Sequence, residues 1–330
     1  PLHANGSSSP PPAEVTVTVA ANVAPASANL KIEAPSGWRV EPVSQPVDFA
    51  RAGESRDYHF KLRPPDGREG YYPIRAVLDY KGKQFSEGYS VVSRPDLDNT
   101  AYYYQPATQR VSLVHVNVPS ALKVGYVMGA GDEIPTILGQ LGIDLHLISP
   151  EELASGDFTR YDTVILGIRA YDTRDDLRAK NQRLLDYVKN GGTLMVQYNT
   201  GVADFNVGKF TPFPAELSRD RVTVEEAPVE MLPPNDPIFH FPNQITARDF
   251  EGWVQERGLY FMDKWDPQFQ ALLSSHDPGE PPREGGLLLA HYGKGIYIYN
   301  AYAFFRQLPS GVPGAVRLYV NLISAGLKQK

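Results

Sequence analysis

The densest group of side chains capable of chemistry is Asp249-Phe250-Glu251-Gly252-Trp253-Val254-Gln255-Glu256-Arg257. In an extended segment alternate residues share a face. That spacing would align Asp249, Glu251, Trp253, Gln255 and Arg257. An indole beside carboxylate, amide and guanidinium groups suits a sugar: the ring covers the C–H face and the polar groups bind hydroxyls. Two carboxylates could also act as acid and base. A solvated edge strand carrying a Glu/Arg pair reads from the same letters. Further candidates fall at expected strand ends. Arg169 and Tyr171 follow one strand, Tyr198 and Asn199 the next, and Arg306 the last. Tyr198 and Asn199 could donate hydrogen bonds to a ligand at the carboxyl ends of the strands. Arg169 and Arg306 could clamp a carboxylate, or pair with Asp249 or Glu251. His291 completes a set with Asp249, Glu251 and Arg257 if the chain is itself an enzyme.

Other chemistries lack their residues. There is no cysteine, so this chain has no disulfide, thiolate metal site or Cys nucleophile. No G-x-S-x-G elbow occurs, and Tyr198 and Asn199, at the turn where a nucleophile would stand, are poor ones without special activation. Gly129-Ala130-Gly131 lacks the third glycine of a dinucleotide fingerprint at Ile134. Asp132 and Glu133 would repel an anion there. No two of the seven histidines stand at the i, i+4 spacing of a helical zinc pair. No metal or other cofactor is expected.

The elements that must position these residues fall into two blocks, as the 330-residue length leads one to expect at about 150 residues per domain. The net charge of −6 offers no field for nucleic acid or an anionic membrane. No apolar run reaches about 18 residues, so no membrane span is expected. Residues 1–12 read as a disordered or polyproline-like lead-in without a signal peptide, as in a fragment whose own start is missing. Over 13–95, short alternating runs such as Val15 to Ala20 and Tyr72 to Tyr80 are separated by turn residues such as Lys81-Gly82-Lys83. They predict an antiparallel β-sandwich. Residues 96–120 read as a connector. Within it, Val111 to Val118 could start the next sheet or pack between domains.

From 121 to 330 the pattern is that of an open, mostly parallel α/β sheet. Apolar runs at Leu122 to Met128, Ile143 to Ile148, Tyr161 to Ile168 and Thr193 to Gln197 predict buried strands. Arg174 to Lys189 predicts a helix closed by Gly191-Gly192. Gly286 to His291 and Gly295 to Tyr299 predict a late antiparallel pair turning at Lys294-Gly295. Val316 to Ala325 predicts an amphipathic closing helix. Residues 200–285 are the least regular stretch.

Several motifs occurring in order resemble one family. Gly125 to Glu133, Leu166 to Tyr171, Val196 to Thr200, Asp249 to Phe261, Asp277 to Pro282 and Ala303 to Pro309 are similar to the C-terminal region of large bacterial PIG-L (LmbE-type) deacetylases. The front part, with Ala34 to Trp38 and Gly70 to Tyr72, resembles the immunoglobulin-like, NPCBM-associated module of glycosidases. The second domain also resembles class I glutamine-amidotransferase-like folds, including the ThuA-like group. The resemblance implies a parent that removes acetyl groups from N-acetylglucosamine-type substrates with zinc. The family's Ala-His-Pro-Asp-Asp signature is absent here, so deacetylase activity is carried onto no residue. The amidotransferase cysteine is replaced at Tyr198-Asn199, so glutaminase activity is not expected.

Three functions remain open. The chain is a non-catalytic accessory region that binds glycan or docks a deacetylase domain; or it is a sugar-acting hydrolase or isomerase; or it is an assembly module whose 19 tyrosines build a homo-oligomer. A bacterial periplasmic or extracellular location is expected.

Overall fold

The computed structural model describes residues 2–5, 12–65, 67–94, 96 and 99–329. They divide into two compact units, one reaching Val114 and the other beginning at His115.

The strands of the first unit are β1 (Leu2–Asn5), β2 (Ala13–Ala20), β3 (Ala26–Glu33), β4 (Arg39–Glu41), β5 (Ser44–Phe49), β6 (Ser55–Arg63), β7 (Gly70–Tyr80), β8 (Lys83–Phe85), β9 (Glu87–Arg94), β10 (Asn99–Pro106) and β11 (Thr108–His115). One sheet has the order β1-β11-β7-β3-β5 with β8 beside β7, and a second is β2-β6-β4. Alternation builds the core between them. Tyr58, Phe60 and Leu62 of β6 point inward, against Leu30 and Ile32 of β3 and Val47 and Phe49 of β5. Their polar neighbours face water, the pattern of an aligned sandwich. Lys81 and Gly82 both have positive φ, 52° and 75°. The right-handed twist of β7 and β8 demands such a two-residue turn.

Two expectations need correction. The lead-in is not wholly irregular: Leu2–Asn5 adds to the sheet edge beside β11, where main-chain pairing needs no apolar side chains. The rest of that stretch, except Pro12, lies outside the described residues. The span read as a connector is mostly strand. Thr108–Leu113 pairs antiparallel with Gly70–Arg75, so this run belongs to the sandwich and does not start the next sheet. Asn99–Pro106 pairs with Glu87–Arg94 as a two-stranded ribbon.

The second unit is built on β12 (Lys123–Val127), β13 (Asp144–Leu147), β14 (Thr163–Leu166), β15 (Thr193–Gln197), β16 (Ala215–Val222), β17 (Val229–Met231), β18 (Gly258–Trp265), β19 (Phe269–Ala271), β20 (Leu273–Ser275), β21 (Leu287–Tyr292) and β22 (Gly295–Asn300). Its main sheet has the order β13-β12-β14-β15-β22-β21-β19. The first four pairings are parallel and the last two antiparallel. Every residue of β14, β15 and β22 is buried, as expected of strands covered on both faces. The strand at Asp144–Leu147 is the exception. It forms the sheet edge and is largely exposed, not buried.

Seven helices are numbered here: α1 (Ile134–Gln140), α2 (Pro150–Ser155), α3 (Ala170–Thr173), α4 (Asp175–Lys189), α5 (Val202–Gly208), α6 (Phe304–Gln307) and α7 (Pro313–Ile323). Leu177, Leu184, Leu185 and Val188 form the buried stripe of α4, and Gly191 ends it at φ 116°. The closing helix α7 presents no wide solvent-facing side. Apart from Pro313 and Arg317 it is buried all round, because strands and short 3₁₀ turns cover it on several sides. The irregular 200–285 stretch contains an antiparallel ribbon of β16 and β18 with three register shifts. Its polar face hid it from a periodicity reading. Among the described residues no helix is long and apolar enough to cross a membrane.

Candidate functional site

The Asp249–Arg257 segment does not share one face. Ala247–Phe250 forms a 3₁₀ turn, and Gly252 and Gln255 take positive φ of 68° and 69°, which breaks the extended alternation. Asp249 is buried. Its Oδ2 accepts from the Thr246 N–H at 2.8 Å and Oγ1 at 2.9 Å, and its Oδ1 accepts from Arg317 Nε at 2.7 Å. Trp253 is also buried and donates its indole N–H to Asp249 O at 3.0 Å. Its ring lies against Phe250, Tyr302 and Phe304, so its faces are spent on the core. Arg257 donates Nε to Ala227 O at 2.9 Å and Nη1 to Phe250 O. Burial pushes its pKa down. Glu251 and Gln255 are exposed, and the Gln255 N–H is held by Glu225. This segment is therefore a structural clasp, with three of its five candidates buried.

His291 lies elsewhere. Because β21 runs antiparallel to β22, His291 pairs with Ile296, whose other neighbour is Thr193. It therefore sits at the amino ends of the parallel strands. The Lys294-Gly295 turn in the sequence carried this information.

The carboxyl ends of β14, β15 and β22 do bring candidates together. Tyr198 follows β15 directly. Its ring stacks against Tyr260, with centroids 6.1 Å apart and planes at 14°, and against Phe305 at 5.2 Å and 37°. Tyr260 and Phe305 are half-buried, whereas Tyr198 is buried. Tyr260 has φ 60° and its carbonyl accepts from Tyr299 Oη at 2.6 Å, which fixes it beside the end of β22. Arg169 has φ 56°, and its N–H donates to Tyr198 O at 2.8 Å. Its Nε reaches Asp172 at 3.3 Å. Arg306 donates Nε to Glu256 at 2.7 Å, and its guanidinium carbon lies 4.7 Å over the Phe305 ring. Burial raises the Tyr198 pKa, while Arg169 and Arg306 act against that shift. The phenol is thus a proton-bearing donor at neutral pH, not a phenolate. Gly129 lets two loops meet here: a Cβ on it would fall 2.1 Å from Ile168 O.

Asn199 and Tyr171 hold this end of the sheet and do not line it. Asn199 Oδ1 accepts from the Tyr171 N–H at 3.0 Å, and its Nδ2 donates to Gln197 O at 3.0 Å. Tyr171 is buried, donates to Asn181 at 2.6 Å, and stacks on Phe210 at 4.2 Å. Tyr260, Phe305 and Glu256, which the sequence did not single out as candidates, lie beside Tyr198 and Arg306. They come from segments remote from β15, and Tyr260 reaches the site only through its left-handed backbone.

Among the described residues no three His, Asp or Glu side chains converge as metal ligands.

Comparison with known proteins adds one family. Residues 9–81 match the NPCBM-associated, NEW3 domain of alpha-galactosidase. From residue 11 onward that match falls within the first unit, and it supports a layout of two modules. None of the curated proteins matches the chain. Among solved structures, a β-galactosidase from Rahnella sp. R3 is 15% identical over 66% of this chain, with a TM-score of 0.39. The chain spans about a third of that enzyme, 32% of its length. A ThuA-like protein from Bacteroides uniformis is 13% identical over 64% of this chain and 93% of its own, with a TM-score of 0.40. A cytoplasmic protein from Salmonella typhimurium LT2 is 14% identical over 72% of this chain and 95% of its own, with a TM-score of 0.39.

Proposed function

We propose that this chain is a carbohydrate-associated accessory region whose second unit binds a glycan at the carboxyl ends of β14, β15 and β22. One observation carries the reading: Tyr260 and Phe305 flank Tyr198, while Arg169, Arg306 and Glu256 stand beside the rings. Stacked rings cover the C–H faces of a sugar, and the polar groups take its hydroxyls. The NEW3 match in the first unit agrees with a carbohydrate context. Two of the four groups that could act as catalysts are used otherwise: Asp249 caps a turn and pairs with Arg317, and Arg257 binds two carbonyls. The role proposed is therefore binding without catalysis.

At the finer level, we propose as parent system a PIG-L-type N-acetylglucosamine deacetylase acting in the bacterial periplasm or outside the cell, a reading supported by the motif resemblance. This chain would hold the glycan or dock the catalytic domain. Glycan-array screening followed by calorimetry tests the binding. Phe305→Ala should weaken a glycan that the unmodified chain binds, with the fold intact by circular dichroism. Undiminished binding would remove this site.

A second reading, assembly, rests on the β9–β10 ribbon. Tyr102, Tyr103 and Tyr104 are 59%, 60% and 63% exposed, with Val91 and Val92 also exposed on the partner strand. Exposed apolar surface of this kind marks interaction sites.

A further inference from the structure

We propose that the Tyr198 site selects saccharides that carry a carboxylate, such as a uronic acid residue, held between the guanidinium groups of Arg169 and Arg306. This deepens, and rests on, the reading of the site as a glycan-binding one.

The backbone fixes the arrangement. Arg169 follows β14, Tyr198 follows β15, and Arg306 follows β22, three strands adjacent in the sheet. Arg169 is held by its left-handed backbone and by its N–H bond to Tyr198 O. Arg306 has its guanidinium carbon over the Phe305 ring. Each guanidinium spends only its Nε on a protein carboxylate. Their terminal nitrogens make no hydrogen bond to any described residue, and the side chains are 44% and 36% exposed. Asp172 makes only a weak claim on Arg169. Its shorter bonds come from Thr200 N–H at 2.7 Å, Thr200 Oγ1 at 2.8 Å and Gly201 N–H at 3.0 Å, against 3.3 Å from Arg169. Glu256 is engaged by Arg306.

What faces the rings is therefore rich in donors. Two guanidinium forks and the Tyr198 hydroxyl can donate, while Glu256 accepts from Arg306 Nε and Asp172 accepts from Thr200, Gly201 and Arg169. A neutral sugar hydroxyl must both donate and accept, whereas a carboxylate only accepts and matches a guanidinium fork in a bidentate way.

Calorimetry on the intact chain, with two oligosaccharides of equal length, one neutral and one containing uronic acid, tests this. The acidic ligand should bind about 10- to 100-fold more tightly, the range of one or two charge-assisted hydrogen bonds. Arg169→Gln/Arg306→Gln should remove most of that gap. Equal affinity for both ligands overturns the proposal and leaves the glycan reading standing. Binding of neither overturns both. A preference that survives the double variant places the carboxylate elsewhere and overturns the proposal. The comparison on the unmodified chain stands whether or not the variants fold.

Discussion

The guanidinium carbon of Arg257 lies 5.6 Å from the centroid of the Trp253 ring, and both side chains are buried. The pair ties the Asp249–Arg257 segment to the core, since the indole also meets Phe304 and the guanidinium also holds Ala227 and Phe250. Trp253→Ala should therefore act on stability. Removing a buried indole costs about 3–5 kcal/mol. Urea denaturation should show a loss of that order. A near-neutral effect would mean that the ring is not part of the core.

The Asp249–Arg317 contact closes the same clasp from α7. Asp249 caps its turn and accepts from Arg317 at 2.7 Å, with its side chain 5% exposed and that of Arg317 20%. Asp249→Asn keeps the shape and removes the charge. It should cost about 2 kcal/mol, as for a hydrogen bond to a charged group, read in the same denaturation experiment. Sugar binding at Tyr198 should be untouched as long as the protein is folded.

Asp132 sets one element of the pH dependence. Burial raises its pKa, although it accepts from Tyr126 Oη and from the N–H groups of Ile134 and Ile168. A carboxyl whose pKa is higher in the folded state binds its proton more tightly there. Its contribution is full below the unfolded aspartate pKa and is lost as pH rises through the folded value. Other carboxylates, such as Asp176 beside Arg174, are shifted down and give the opposite slope. The stability difference between the unmodified chain and Asp132→Asn isolates the term. That difference should move in favour of the variant as pH rises from strongly acidic toward neutral. A flat difference across this range would contradict it.

The exposed ribbon gives a separate test. If Tyr102 and Tyr104 mediate assembly, light scattering should show a dimer or larger species that Tyr102→Ser/Tyr104→Ser converts to monomer. A monomer at high concentration before any substitution would rule out the assembly reading.

The fold was legible where periodicity was strong. The stripe of Leu177, Leu184, Leu185 and Val188 marks α4, and the unbroken apolar run of Thr193 to Gln197 marks a strand covered on both faces. Legibility failed where backbone conformation overrides alternation. Positive φ at Gly252 and Gln255 turns the Asp249–Arg257 segment into a clasp, which no count of alternate residues reveals. Of the proposed site, Tyr198, Arg169 and Arg306 were legible as strand-end residues because each follows a strand. Tyr260 and Phe305 were not, because their approach depends on how β18 and α6 meet the end of β22. His291 was misplaced although the hairpin turn before β22 already reversed its direction.

In the proposed function, sugar rings meet Tyr260 and Phe305 beside Tyr198. The direct measurement is NMR chemical-shift mapping of aromatic and backbone signals during titration with a glycan that binds in calorimetry. The largest shifts should fall on Tyr198, Tyr260 and Phe305, with Arg169 and Arg306 following. Shifts confined to the first unit, or to the Asp249–Arg257 segment with these rings unmoved, would contradict it.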